Sequence, residues 1–140
     1  MTSLDKVFPV TDATVVAAYE FVFAPWVKLL GLHDFKVSEA CVSALLPDGE
    51  ALQFSNGAVC GQALMAAIDT LAALAMATTE RVPKGTSYQH THFLRPARGG
   101  PFFVEAKVLR FGKTSAFAEA RVCVASSSEL VAHAVLEFAF

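Results

Sequence analysis

The chain of 140 residues predicts an α+β fold, an antiparallel sheet wrapped around one central buried helix. Three observations carry that expectation. The segment from Cys60 to Thr79, CGQALMAAIDTLAALAMATT, consists mostly of strong helix formers and is apolar almost all round, so no face is left for water. After it the chain breaks into strand-length runs bounded by Gly, Pro and Ser. In the last two runs, residues of one face alternate with those of the other, the period of a sheet buried on one side.

The elements follow in order. Val15, Tyr19, Val22, Trp26 and Leu29 recur every three or four residues and mark an amphipathic helix, with Thr11 or Asp12 to cap its start and Gly31 to end it. Pro25 disfavours helical geometry at Ala24, which predicts two short helices at an angle. Residues 1–32 thus form an N-terminal helical segment and residues 33–140 the core of one domain. Phe35 to Leu46 reads as a first strand, Pro47-Asp48-Gly49 as a turn, and Ser55-Asn56-Gly57 as the loop that enters the buried helix. Four strands in short-turn succession come next. Thr86 to Arg95 stops at Pro96, and Pro101 to Phe111 stops at the hairpin signal Gly112-Lys113. Thr114 to Ala125 places Ala116, Ala118, Ala120, Val122 and Val124 on one face, with Glu119 and Arg121 on the other. Ser126-Ser127-Ser128 turns the chain into a last strand whose inner face is Leu130, Ala132, Ala134, Leu136 and Phe138.

Composition excludes several classes. The chain is 54% hydrophobic with mean hydropathy +0.48, yet no run spans a bilayer, since the best candidate helix contains Asp69. The apolar surplus points to subunit interfaces, because small monomers rarely expose large apolar patches. A net charge of −2 and a pI near 6.0 argue against nucleic acid as a partner. Cys41, Cys60 and Cys123 are odd in number and form no CxxC, which predicts reduced thiols and a cytoplasmic protein. Asp5 and Glu20 interrupt any basic-then-apolar leader pattern.

Asp69 is the chemical anomaly. It is the only carboxylate in the apolar helix, and an unpaired carboxylate there costs several kcal/mol unless it is hydrogen-bonded or its pKa rises. An acid held this way suggests a wall of an active-site cavity.

With NGAVCGQALMAAIDTLAALAM on the helix and HFLRPARGG after it, the sequence resembles the hotdog-fold acyl-CoA thioesterases of the phenylacetate-degradation type. Gly57, Gly61, Asp69, Phe93, Leu94, Arg95, Pro96, Ala97 and Gly100 fall on positions of that family's pattern, and the likeness covers roughly residues 21–139. The chain departs from the pattern where Cys60 replaces a histidine, Gln62 a second glycine and Phe54 a loop asparagine, with Asn56 two residues later.

The resemblance implies hydrolysis of an acyl-CoA or aryl-acyl-CoA, with Asp69 as general base or nucleophile and the Gly61 N–H as oxyanion donor. First-turn N–H groups have no intrahelical partner, and a glycine lets a carbonyl approach them closely. It also implies that Thr86 binds the lytic water or the acid, although Ser87 would replace it after a one-residue slip of register. Cys60, Gln62, Asn56 and Phe54 surround the thioester in this reading, and Arg95, Arg98 and Lys113 sit at strand ends where coenzyme A phosphates can dock. Cys60 reads as a small hydrophobe, with a thiolate activated by the helix N-terminus as the alternative.

Asp69 lies eight residues beyond Gly61, roughly 12 Å along a helix, so one carbonyl cannot touch both groups of one chain. A shared site between subunits, at least a dimer, is the expectation, and the resemblance implies a tetramer of two such dimers. His90 and His92 share a strand face but have no third ligand near in sequence, so a hydrogen-bonded strand face or a subunit interface is expected there, and neither metal nor cofactor. A non-catalytic acyl-CoA-binding protein of the same fold is the competing reading. A dehydratase ranks last, for want of a histidine near Asp69 or Gly61 in sequence.

Overall fold

A computed structural model describes residues 3–140. Three short helices come first: α1 (Leu4–Val7), α2 (Val15–Val22) and α3 (Pro25–Lys28). The hairpin β1 (His33–Ser38) and β2 (Cys41–Leu46) follows. A 3₁₀ turn at Glu50–Leu52 leads to the central helix α4 (Gly61–Met76). The chain ends with β3 (Gly85–Phe93), β4 (Phe102–Phe111), β5 (Ser115–Val124) and β6 (Leu130–Ala139). All neighbouring strands are antiparallel, in the order β1-β2-β4-β5-β6-β3, and α4 packs across the inner face of the sheet. This is the hotdog arrangement.

The period-2 pattern predicts the buried faces of β5 and β6 except at the start of β6, where a break in register opposite Cys123 leaves Leu130 half-buried and Val131 buried. Ala116, Ala118, Ala120 and Val122 of β5 are buried, and Ala132, Ala134, Leu136 and Phe138 of β6 join them under the helix. Ala63, Ala67, Ile68, Leu71 and Ala75 meet them from α4. Small residues on both surfaces let a helix lie close on a sheet without voids.

The structure corrects four expectations. Phe35 to Leu46 is two strands, because Ala40 adopts φ 60 and reverses the chain between Ser38 and Cys41 without any Gly or Pro to signal it. β3 does not pair with β4 as short-turn succession implies. It lies at the far edge against β6, and residues 94–101 carry the chain back across to β4. The N-terminal stripe also breaks. Val15 and Tyr19 are buried, but Pro25 re-aims the chain so that Val27 and Leu30 replace Trp26 and Leu29 in the core. Neither Thr11 nor Asp12 caps α2 at the residue before it: that position is Thr14, whose Oγ1 accepts the Thr11 N–H at 2.9 Å. The Asp12 carboxylate accepts the Val37 N–H of β1 at 2.8 Å instead.

Two bonds fasten the N-terminal segment. The Val10 N–H donates to the Ala77 carbonyl beyond the end of α4 at 2.8 Å, and the Tyr19 hydroxyl donates to the Val27 carbonyl at 2.9 Å. The segment is thereby held beside the C-terminal half of α4.

Candidate active site

Helix α4 is not buried on every side. Gln62, Met65 and Asp69, spaced three and four residues apart, form a narrow stripe of lower burial. That stripe faces β3, and three contacts lie in order along the pair. Thr86 Oγ1 donates to Asp69 Oδ1 at 2.5 Å. Gln89 Nε2 donates to the Met65 carbonyl at 3.3 Å. The Phe93 ring lies over Gly61, where an added Cβ would stand 3.1 Å from its Cζ.

A β-bulge in β3 sets this alignment. Thr86 pairs with Phe138 and Tyr88 with Glu137, so Ser87 is an extra residue with no partner of its own. Strict alternation back from the inward-facing Gln89 would put Ser87 on the helix side. The bulge sends Thr86 there, while Ser87 Oγ donates to the Glu137 carbonyl at 3.2 Å.

Asp69 is half-buried, and burial pushes its carboxyl pKa above the ordinary aspartate range. The Thr86 hydrogen bond works against that rise by favouring the carboxylate. The acid is therefore a stronger base than an exposed aspartate, and one of its oxygens is fixed in direction.

Gly61 opens the helix. Cys60, at the cap position, makes no side-chain hydrogen bond to the first turn, while its own N–H donates to the Leu52 carbonyl at 2.8 Å. The first-turn N–H groups thus keep the partial positive character of a helix start. In front of Gly61 lies a cavity of about 460 Å³, bordered by Phe54, Asn56, Phe93, Leu94 and Arg95. Asp69 and Thr86 lie on a separate cavity of about 300 Å³. One chain therefore holds the two predicted catalytic groups in two different places.

Of the remaining predicted residues, Phe54, Asn56 and Arg95 border the Gly61 cavity, and none borders the Asp69 cavity. Phe54 is exposed at the rim of the Gly61 cavity. Asn56 Oδ1 accepts the Ala58 N–H at 3.0 Å, closing the loop on itself, and its carbonyl accepts from Arg98 Nη1 at 2.6 Å. Arg95 borders the cavity while paired with Glu129 at 3.1 Å. Gln62 is exposed on the first turn. Lys113 stands apart from both arginines: its hairpin adjoins the Gly85 end of β3, because Ala139 pairs with both Gly85 and Ser115. Among the described residues no three metal-ligating side chains come together, and His90 and His92 face each other with ring centroids 4.6 Å apart. No helix among the described residues is long and apolar enough to cross a membrane. Sequence reasoning missed Gln89, as well as the N-terminal residues around Asp69, because only tertiary folding brings them to α4.

Residues 56–131 match the family model described as Thioesterase superfamily. No curated protein matches the sequence. Among solved structures, the chain is similar to a conserved protein of Pseudomonas aeruginosa, with 27% identity and a TM-score of 0.75 over 86% of this chain and 96% of that one. It also resembles the E. coli PaaI protein from the phenylacetic acid degradation operon, at 20% identity and TM-score 0.79 over 89% of this chain and 88% of that one. Zebra fish thioesterase superfamily member 2 superposes at TM-score 0.84 with 19% identity, over 93% of this chain and 98% of that one. At the identities of these last two, the likeness is one of fold.

Proposed function

The chain belongs to the thioesterase superfamily, and on that premise we propose that it hydrolyses an acyl-CoA or aryl-acyl-CoA to the free acid and coenzyme A. The observation that carries the reading is the half-buried Asp69, oriented by Thr86 on the one open stripe of the central helix. In its ionised form Asp69 takes the proton of a water that attacks the thioester carbonyl, or attacks that carbon itself and leaves water to cleave the anhydride. The Gly61 N–H receives the charge developing on the carbonyl oxygen. Collapse of the tetrahedral intermediate breaks the C–S bond and expels the thiolate, which takes its proton from Asp69 in the first route and from water in the second. In this reading Phe54 and Asn56, on the Gly61 cavity, flank the thioester, and Arg95 and Arg98 take the phosphates.

The site is shared between two copies in this reading. The separation of Gly61 and Asp69 into two cavities supports it, as does the edge position of β3, which leaves Tyr88, Phe93 and Leu94 about half exposed. If two β3 strands pair antiparallel about a two-fold near Gln89–His90, the Thr86 end of one meets the Phe93 end of the other. Asp69 of one copy then faces Gly61 of its mate. Three free thiols fit a reducing compartment, the cytosol.

Thiol release from a panel of acyl-CoAs tests the activity. Turnover is expected in the wild type and loss of it in Asp69→Ala. A variant that retains more than a few per cent removes Asp69 as the central catalyst. A wild type that binds acyl-CoA without releasing thiol returns the protein to the binding class.

A further inference from the structure

The cavity beside Asp69 has walls that the helix and sheet do not supply. Leu4, Phe8, Val22 and Phe23, all from the N-terminal helical segment, line it opposite α4. Phe138 and Leu74 form its floor, both buried. Three of the large apolar side chains that the fold leaves to solvent converge here: Leu4 at 47%, Val22 at 43% and Val82 at 51% exposure. Exposed apolar groups that meet around one concavity point to a ligand more than to chance. The charged residues on the lining are Asp69 itself and Lys84, whereas the Gly61 cavity carries Arg95 and Asn56. In the cavity beside Asp69 the polar groups Asp69, Lys84 and Thr86 share the lining with the apolar side chains of the N-terminal segment.

We infer that the N-terminal segment forms the acyl pocket, and that Val22 and Phe23 set the size of acyl group accepted. This rests on the thioesterase reading above. A thioester carbonyl placed at Asp69 leaves its acyl group one direction without charge, down toward Phe138 and Leu74. The cavity volume of about 300 Å³ is roughly twice the ~150 Å³ that holds one benzene. It therefore takes an arylalkyl group such as phenylacetyl, or a medium-length alkyl chain, and excludes a long fatty chain. The substrate class is a compact apolar acyl group.

The test compares kcat/KM for acetyl-, phenylacetyl-, octanoyl- and palmitoyl-CoA in wild type, Val22→Trp, Phe23→Ala and Leu109→Ser. Leu109 is exposed away from both proposed site cavities and serves as the control. One methylene in an apolar pocket changes rates by about tenfold or more. Val22→Trp should therefore lower the phenylacetyl-to-acetyl ratio at least about tenfold. Phe23→Ala should raise the palmitoyl-to-octanoyl ratio, and Leu109→Ser should move neither. A second arm measures binding of the thioether S-(2-phenylethyl)-coenzyme A by calorimetry, with folding checked by thermal unfolding. A wild type that binds the thioether without hydrolysing any thioester, and loses affinity in Val22→Trp, would overturn the activity and leave the pocket standing. Hydrolysis with both ratios unmoved within twofold in folded variants would overturn the pocket alone, as would no thioether binding by the folded wild type.

Discussion

Mixing two inactive variants gives the sharpest test of a site built by two chains. Asp69→Ala removes the acid, and a positioned base contributes about 10²–10⁴ in rate. Gly61→Leu places a side chain where even a Cβ stands 3.1 Å and 3.2 Å from the Phe93 ring, filling the approach to the first-turn N–H groups. Loss of one oxyanion donor costs about 10²–10³. Each parent should then run at about 1% of wild type or less. When the two are unfolded and refolded together, random pairing makes about half of the dimers mixed, and each mixed dimer carries one intact site of two. About a quarter of all sites recover, a rise of roughly twenty-fivefold over either parent. Thiol release from phenylacetyl-CoA provides the assay, and purification through two different affinity tags proves that mixed dimers formed. If each chain held its own complete site, no combination of these chains would restore one. Mixed dimers without recovered activity would refute the shared site, and so would a fully active monomer.

Three further outcomes follow from the same geometry. Asp69→Asn should be inactive yet more stable at neutral pH. A carboxyl whose folded pKa is raised makes wild-type stability fall as pH climbs from the ordinary aspartate range through the raised value. The advantage of the amide should appear over that window and vanish below it, which thermal unfolding across pH will read; a Tm difference independent of pH counts against the assignment. Thr86→Val removes the hydrogen bond that opposes the rise, so the acid limb of kcat/KM should move to higher pH, while Ser87→Ala leaves it in place. Equal shifts from the two would mean that the bulge does not select between them. Cys60→His should fold and raise turnover on simple acyl-CoAs. If Cys60→His is inactive and Cys60→Ala also loses the native activity, the thiol itself takes part.

Local pattern made the hotdog core legible. Period-2 burial in β5 and β6 and an Ala- and Leu-rich helix between loop signals are properties of neighbours in sequence, and burial in the folded chain obeys them. Asp69 stood out for the same reason, as the only charged side chain on its helix. The tertiary structure decided what depends on distant partners. Ala40 turns at positive φ because the β1–β2 pairing requires it there, although nothing in Ser38-Glu39-Ala40-Cys41 marks a turn. Pairing with β6, fifty residues on, creates the bulge at Ser87 and so chooses Thr86 as the partner of the acid. The bond from Val10 to Ala77 brings an N-terminal wall to Asp69 across a gap in sequence that no periodicity can encode. Periodicity reports which face of an element is buried; which other element buries it is set by the closure of the whole chain.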